Sequence, residues 1–221
     1  MIIAVDGPAG AGKSTVARLL AKELGFLYID TGAMYRALTL KAIAKKIEIK
    51  DTSSLIDMAQ ATYLDLTNNP DGSLKILLDG QEVTELIRQP EITKLVSDIA
   101  KIRDIRKVML GLQRRLGQER DSVLDGRDIG TVVFPDADKK FYIDAEFKER
   151  VNRRYKELIG LGQEVTLSDV EIDLHNRDLM DSTREIAPLK KADDAIYIDT
   201  TDMSIEEVVE KLLTEINRDR R

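Results

Sequence analysis

The 221-residue sequence predicts an α/β fold in which a parallel sheet is flanked by helices. Three observations predict this fold class. Apolar strand segments alternate with helical segments through most of the chain, which favours parallel strands. A glycine-rich turn at residues 7–14 joins the first strand to the first helix. Residues 62–88 break the alternation with short strand and turn patterns, which indicate an inserted antiparallel unit.

The glycine-rich turn reads Gly-Pro-Ala-Gly-Ala-Gly-Lys-Ser, and this matches the phosphate-binding pattern G-x-x-x-x-G-K-[ST]. Its glycines let backbone N–H groups face phosphate oxygens, and the following helix presents its positive N-terminus to the same anion. Lys13 would contact the β- and γ-phosphates, and the Ser14 hydroxyl would ligate Mg²⁺. The sheet is therefore predicted to be of the P-loop NTPase type. The predicted nucleotide-binding residues are Gly7, Pro8, Ala9, Gly10, Ala11, Gly12, Lys13, Ser14 and Thr15.

The opening of the chain predicts two strand–helix units. The first comprises a strand at 2–5 and a helix at 13–24, with apolar residues at helical spacing and Gly25 at its end. The second comprises a strand at 26–29 and a helix at about 33–46. This β-α-β-α order predicts a largely parallel sheet.

The inserted unit is predicted to be an antiparallel meander followed by two helices. Asp-Gly pairs at 71–72 and 79–80 are strong hairpin signals. The strands are predicted at 63–66, 74–78 and 81–83, and the helices near 90–99 and 103–116. After the insert the main fold resumes, with strands at 122–124, 141–144 and 195–199 and helices at about 146–159, 168–181 and 204–217.

Composition excludes several classes of protein. The chain has no cysteine and a single histidine, His175, so disulfide frameworks, thiolate nucleophiles and histidine-cluster metal sites are ruled out. The formal net charge of −6 argues against nucleic-acid binding. No apolar run is long enough for a membrane span, and the apolar start at 1–5 is too short for a signal peptide. We therefore expect a cytoplasmic protein, and a monomer.

Arginines recur downstream of the phosphate-binding loop, and they narrow the function. A charged helical face is usually only solvated, but Arg127 directly follows a strand-terminal Asp-Gly, where open parallel sheets bind ligands. So many guanidinium groups suit two phosphate-bearing substrates better than one. No guanine-specific Asn-Lys-x-Asp motif is present, so a nucleotide or phosphometabolite kinase is favoured over a GTPase. The arginines are Arg36, Arg106, Arg127, Arg150, Arg153, Arg154, Arg177 and Arg184.

Three further segments resemble motifs of the cytidylate kinases. They are Asp-Thr-Gly-Ala-Met-Tyr-Arg at 30–36, Asp-Gly-Arg-Asp-Ile-Gly-Thr-Val-Val-Phe-Pro at 125–135, and Arg-Asp-x-x-Asp-Ser-x-Arg-x-x-Ala-Pro-Leu at 177–189. Together with the phosphate-binding loop they span the chain in consistent order. The sequence is thus similar to the bacterial cytidylate kinases, which transfer phosphate from ATP to CMP and dCMP.

The resemblance implies a role for each site residue. The acceptor phosphate would be held by Thr31, Arg36 and Arg127, and the cytosine would be read by Ser97, Arg106 and Asp128. The acceptor sugar would be bound by Asp181 with Arg177 alongside, and Asp125 is assigned to the acceptor site. The resemblance does not fix the Mg²⁺ ligands beyond Ser14, and the position of Asp125 at a strand end makes it the candidate for a contact with Mg²⁺ through water. The catalytic cations would be Lys13, Arg150, Arg153, Arg154 and Arg184, of which Arg184 also belongs to the acceptor site.

The resemblance also implies a division into three domains that close over both substrates. The core would comprise 1–35, 117–149 and 185–221, the acceptor-binding domain 36–116 with its insert at 62–88, and the lid 150–184. Two other readings stay open at this point. One is a UMP/CMP, AMP or shikimate-type kinase on the same scaffold, and the other is a nucleotide-binding protein without catalysis.

Overall fold

The computed structural model describes residues 1–69 and 71–218, and Pro70, next to the predicted Asp-Gly turn at 71–72, lies outside them. Eight strands and eight α-helices are found in these residues. In chain order they are β1 (Ile2–Asp6), α1 (Lys13–Leu24), β2 (Leu27–Asp30), α2 (Thr31–Ala44), α3 (Thr52–Gln60), β3 (Leu64–Asn68), β4 (Leu74–Leu78), β5 (Gln81–Glu82), α4 (Pro90–Ala100), α5 (Arg103–Gln118), β6 (Ser122–Gly126), β7 (Lys139–Asp144), α6 (Phe147–Gly160), α7 (Leu167–Thr183), β8 (Ile196–Asp199) and α8 (Ile205–Arg218).

Five strands form a parallel sheet in the order β2-β6-β1-β7-β8, which confirms the predicted fold class. The central strands are apolar and buried because helices cover both faces. An aspartate stands at or next to the carboxyl end of every strand, namely Asp6, Asp30, Asp125, Asp144 and Asp199. Acidic groups and phosphate-binding backbone therefore meet at one edge of the sheet.

Strands β3, β4 and β5 form the separate antiparallel sheet predicted for the insert. The hairpin signal at 79–80 is confirmed, since Asp79 and Gly80 both have positive φ, at 50° and 81°. The small sheet reaches the edge of the large one through Asn68. Its side-chain amide donates to the Phe26 carbonyl at 3.0 Å and accepts from the Tyr28 N–H at 3.4 Å. One side chain therefore caps the open edge of β2.

Helix α3 is the one α-helix of the described residues that the sequence analysis missed. Asp51 caps its N-terminus by accepting from the Ser54 N–H at 3.1 Å, and Leu55, Met58 and Ala59 are buried. The helix has only nine residues, of which three are buried and apolar, so its periodic pattern is too short to be recognised in the sequence. The bounds of the other helices and strands differ from the predicted ones by no more than two residues.

A second apolar cluster ties the pair α6–α7 to the phosphate-binding loop. It consists of Ala9 from the loop, Val151 from α6, and Val170 and Leu174 from α7. Helix α7 starts in a reciprocal cap between Thr166 and Asp169. No helix in the described part of the chain has the length and apolar character that a membrane crossing requires.

Candidate active site

A cleft of about 1740 Å³ opens at the carboxyl ends of the parallel strands. Residues Ala9–Thr15 of the phosphate-binding loop line it. All ten residues assigned to the acceptor site line the same cleft: Thr31, Arg36, Ser97, Arg106, Asp125, Arg127, Asp128, Arg177, Asp181 and Arg184. Segments far apart in sequence are thus brought to one cavity.

The phosphate-binding loop is shaped by glycines in conformations that other residues avoid. Gly7 and Gly10 have φ of 147° and 75°, and a Cβ atom at Gly7 would lie 1.9 Å from the Ile143 carbonyl oxygen. The loop therefore packs against the end of β7 with no room for a side chain. Lys13 bends back across the loop and donates to the Pro8 carbonyl at 2.5 Å.

Lys13 is a buried cation, and its pKa is lowered to about 7. Burial is the main cause, and repulsion from the Arg127 guanidinium adds to it, while Asp125 opposes the shift. Lys13 and Arg127, which belongs to the acceptor half, both line the cleft, so the two halves adjoin. A phosphate group between them would be attracted by both cations.

Ser14 and Asp125 form a second polar contact at the phosphate-binding loop, beside the bond between Lys13 and Pro8. The Ser14 hydroxyl donates to Asp125 Oδ2 at 2.7 Å, and burial with the nearby Asp30 raises the pKa of Asp125 to about 6. A hydroxyl and a carboxylate are the oxygen donors that Mg²⁺ prefers. Among residues 1–69 and 71–218, no group of three or more acidic, histidine or cysteine side chains is arranged so that it could hold a metal ion. These residues therefore fit an ion that takes most of its ligands from phosphate and water.

The acceptor half contains a chain of alternating charges. Arg106 of α5 pairs with Asp128, which accepts from Arg184 at 3.2 Å. Arg184 pairs with Asp181 at 3.6 Å, and Asp181 accepts from Arg127 Nε at 2.8 Å. The five groups come from α5, from the end of β6 and from the end of α7. We refer to Arg106, Asp128, Arg184, Asp181 and Arg127 as the acceptor network.

At Asp181 and Arg127 of the acceptor network, the charged partners shift the pKa more than burial does. Burial alone would raise the pKa of Asp181, but Arg127 and Arg184 lower it below its ordinary value. Burial alone would lower the pKa of Arg127, and Asp181 reverses that effect. These side chains accordingly stay charged and hold one another in place.

The remaining acceptor residues lie around the start of α2. Arg36 pairs with Asp30 at 2.9 Å, and the Thr31 hydroxyl donates to the Asp125 carbonyl at 2.7 Å. Asp30 also caps α2 by accepting from the Ala33 N–H at 2.7 Å. One aspartate thereby fixes both the helix start and the Arg36 guanidinium.

The three arginines of α6 occupy different positions. Arg150 is buried behind the phosphate-binding loop, where it donates to the Ala9 carbonyl at 2.9 Å and to Asp178 at 2.5 Å. Arg153 lines the cleft and donates to the Thr200 carbonyl at 2.5 Å, which ties α6 to the loop after β8. Both guanidinium groups are thus engaged with the protein itself.

Arg154 and Arg177 also line the cleft, and Arg177 lies 3.9 Å from Asp173 on the same helix. Arg154 pairs with Glu157 at 2.9 Å, and its Nε is buried without a hydrogen-bond partner among the described residues. Burial, and secondly repulsion from Arg127, lower the pKa of Arg177. These two guanidinium groups retain hydrogen-bonding capacity toward the cleft.

Three functional positions were missed by the sequence analysis. Asp6 accepts from the N–H groups of Ile129 and Gly130 at 2.8 and 2.7 Å, and so shapes the turn after the acceptor motif. The Arg106 guanidinium lies over the Tyr35 ring, 5.7 Å from its centroid. Tyr28 contacts Asp125. Asp6 ends a strand and Tyr35 stands in the motif at 30–36, so both positions had a sequence signal. Tyr28 had none, because a tyrosine in an apolar strand has the pattern of a core residue.

The fold and the cleft define a kinase of the phosphate-loop class. The family model described as cytidylate kinase matches residues 3–218. The cytidylate kinase of Clostridioides difficile (strain 630) is 49% identical over 217 residues, or 98% of each chain. That of Carboxydothermus hydrogenoformans is 47% identical over 218 residues, or 99% of this chain and 98% of the relative. The chain belongs to the cytidylate kinase family.

Solved structures of other kinases share the fold. A shikimate kinase from Acinetobacter baumannii in complex with shikimate gives a TM-score of 0.50 at 17% identity, covering 99% of this chain and 93% of the other. A gluconokinase from Sinorhizobium meliloti 1021 gives a TM-score of 0.50 at 15% identity, with 98% and 91% covered. At such low identities the likeness establishes the fold alone. The identity of the acceptor substrate has to be inferred from the residues of the site.

Proposed function

We propose that the protein transfers the γ-phosphoryl group of ATP to CMP or dCMP, giving ADP and CDP or dCDP. Family membership supports this reaction, and one observation carries it. Lys13 of the phosphate-binding loop and Arg127, which is anchored in the acceptor network, line one and the same cleft. Two phosphate chains that approach from opposite ends would therefore meet between the two cations.

At the donor end the loop amides and Lys13 bind the ATP phosphates. Ser14 directly and Asp125 through water would hold Mg²⁺, which would supply positive charge beside the phosphates. The acceptor oxygen is already anionic, so transfer needs alignment and charge stabilisation more than a base. Arg154 and Arg177 can supply further cations at the transferring group. Arg150 and Arg153 hold α6 in position, because their guanidinium groups bind carbonyls of the loop and of Thr200.

At the acceptor end the α-phosphate is assigned to Thr31, Arg36 and Arg127. The base is assigned to Ser97, Arg106 and Asp128. Each Asp128 oxygen accepts one guanidinium in the structure and has a further lone pair, so the carboxylate can also accept from the cytosine amino group. Uracil would present a carbonyl there, and such a buried mismatch costs on the order of 1–3 kcal/mol.

The sugar is assigned to Asp181, with Arg177 alongside. The acceptor network joins α5, β6 and α7, so it would also connect the proposed acceptor-binding domain (36–116), core (1–35, 117–149, 185–221) and lid (150–184). Closure of the outer domains would exclude water and protect ATP from hydrolysis. Monomeric state, cytoplasmic location and lack of a nucleic-acid partner stay predictions.

A transfer assay with a panel of acceptors tests the proposal. CMP, dCMP, UMP, AMP and shikimate are each supplied with Mg·ATP, and ADP formation is compared with a reaction that lacks acceptor. We expect CMP and dCMP to be phosphorylated, with UMP slower by about tenfold or more. Equal rates with UMP and CMP would remove the proposed role of Asp128. ATP binding without transfer to any acceptor would support a protein that only binds nucleotide.

A further inference from the structure

Tyr28 is a buried residue of β2 whose hydroxyl reaches the donor site. It donates to Asp125 Oδ1 at 2.9 Å, while the other carboxylate oxygen accepts from Ser14 at 2.7 Å. The ring is 3% exposed. The phosphate-loop hydroxyl, the carboxylate and the phenol therefore form one hydrogen-bonded row.

The two bonds fix the orientation of the carboxylate. Rotation of Asp125 about its Cβ–Cγ bond would break both of them, and no solvent would replace them because the group is buried. Since the Ser14 proton points at Asp125, the lone pairs of the Ser14 oxygen point away from it. That is the arrangement in which a hydroxyl can ligate a cation.

A different orientation of the Asp125 carboxylate would disrupt the donor site, and the positive charge of Lys13 favours such an orientation. Lys13 and Asp125 are both buried residues that line the same cleft. In the structure Lys13 donates to the Pro8 carbonyl instead. If the carboxylate turned toward Lys13, the ammonium would be neutralised by the protein and Ser14 would lose its acceptor.

Tyr28 is itself held firmly in place. Its backbone pairs with Val123 of β6 on one side, and its N–H donates to Asn68 Oδ1 at 3.4 Å on the other. A side chain anchored on both edges of its strand can direct a hydroxyl with little freedom.

We propose that Tyr28 is a positioning residue of the donor site, which keeps Asp125 turned toward Ser14 and away from Lys13. The proposal rests on the proposed kinase function in so far as the donor is Mg·ATP. The proposal predicts that Tyr28 strengthens the binding of Mg·ATP. It predicts no effect of Tyr28 on the binding of metal-free ATP or of CMP.

Titration calorimetry on Tyr28→Phe tests the proposal. ATP is titrated in excess Mg²⁺ and again in EDTA, and CMP is titrated separately. We expect Mg·ATP to bind about tenfold more weakly than to the wild type, because one hydrogen bond to a charged group is lost. Affinities for metal-free ATP and for CMP should stay within about twofold of the wild type. Tyr142→Phe is the matched control, since its ring stacks on Tyr197 in the same sheet, and it should change none of the three.

Equal weakening of ATP with and without Mg²⁺ would overturn the proposal, because it would indicate a general loss of structure. An unchanged Mg·ATP affinity would overturn it as well. Tyr28→Leu removes the same hydroxyl and serves for the comparison if the phenylalanine variant does not fold. In a Ser14→Ala background the Tyr28→Phe change should have little further effect. These titrations need no transfer to CMP, so their outcome is separate from that of the acceptor panel.

Discussion

The two ends of the cleft treat their charged groups differently. The donor end consists of the phosphate-binding loop, of Asp6, which directly precedes the loop, and of Asp125, which accepts from Ser14. Burial there outweighs the effect of charged partners, so the pKa of Lys13 falls to about 7 and those of Asp6 and Asp125 rise to about 6. In the acceptor network the partners outweigh burial at Asp181 and Arg127, whose charged forms are favoured. Side chains compensate charge at the acceptor end, whereas the donor end keeps a cation that is poorly compensated.

This difference indicates which end costs stability. A buried and weakly paired cation destabilises the fold, and such groups are retained at sites that need them. A buried network in which each charge has a partner costs much less, but it depends on every member. Substitutions at the two ends should therefore have opposite effects on folding even where both reduce activity.

The largest effect is expected for Lys13→Met. Loss of this cation should reduce the rate of CDP formation by about 10³-fold, since electrostatic stabilisation of the transferring group is lost. The variant should nevertheless unfold at the same or a higher temperature than the wild type without nucleotide, because a buried charge is replaced by an apolar chain. Steady-state kinetics and thermal unfolding measure the two quantities. A clear drop in the unfolding temperature would show that the donor end is not destabilised by Lys13.

Asp128→Ala should act in the opposite sense on stability. It leaves Arg106 and Arg184 buried without their shared carboxylate, so the free energy of unfolding should fall by about 3 kcal/mol. The KM for CMP should rise by about 100-fold, and the KM for ATP should change little. Asp104→Ala is the control, because Asp104 forms an exposed pair with Lys107 on α5, the helix that carries Arg106, and this pair should be dispensable. If ATP affinity collapsed instead, Asp128 would not belong to the acceptor site.

The donor end could be predicted from the sequence because its information is local. The glycines, Lys13 and Ser14 stand within eight residues, and the flanking strand and helix follow from short-range patterns. The parallel sheet and the antiparallel insert were predicted on similar grounds. Helix α3 was missed because its pattern is short, although Asp51 marked its start.

The hydrogen-bond partners of the downstream arginines could not be predicted in the same way. Arg127 and Asp181 are 54 positions apart, and no spacing rule brings them together. The resemblance named both residues but not the bond between them. It also placed Arg150 among the catalytic cations, whereas the structure engages this side chain with Ala9 and Asp178 behind the loop. Such pairings depend on the packing of whole elements, which sequence patterns do not specify.

The smallest expected effect is a difference in pH dependence between the two ends. Burial raises the pKa of Asp6 to about 6, so the folded protein binds more protons there than the unfolded chain between about pH 4 and 6. Stability from this group is full below about pH 4 and is lost as the pH rises through 6. The stability of the wild type relative to Asp6→Asn should therefore fall over this window, by no more than about 3 kcal/mol.

Asp181 should show the opposite sign, because burial is outweighed by Arg127 and Arg184 and its pKa is lowered. Its contribution is full above about pH 4 and is lost as the pH falls through the lowered pKa of the folded state. The stability of the wild type relative to Asp181→Asn should accordingly rise toward pH 4 and stay constant above it. Urea unfolding at half-unit steps from pH 3 to 8, without nucleotide, gives both difference curves. Two curves of the same sign would mean that the ends of the cleft do not differ in how they compensate charge.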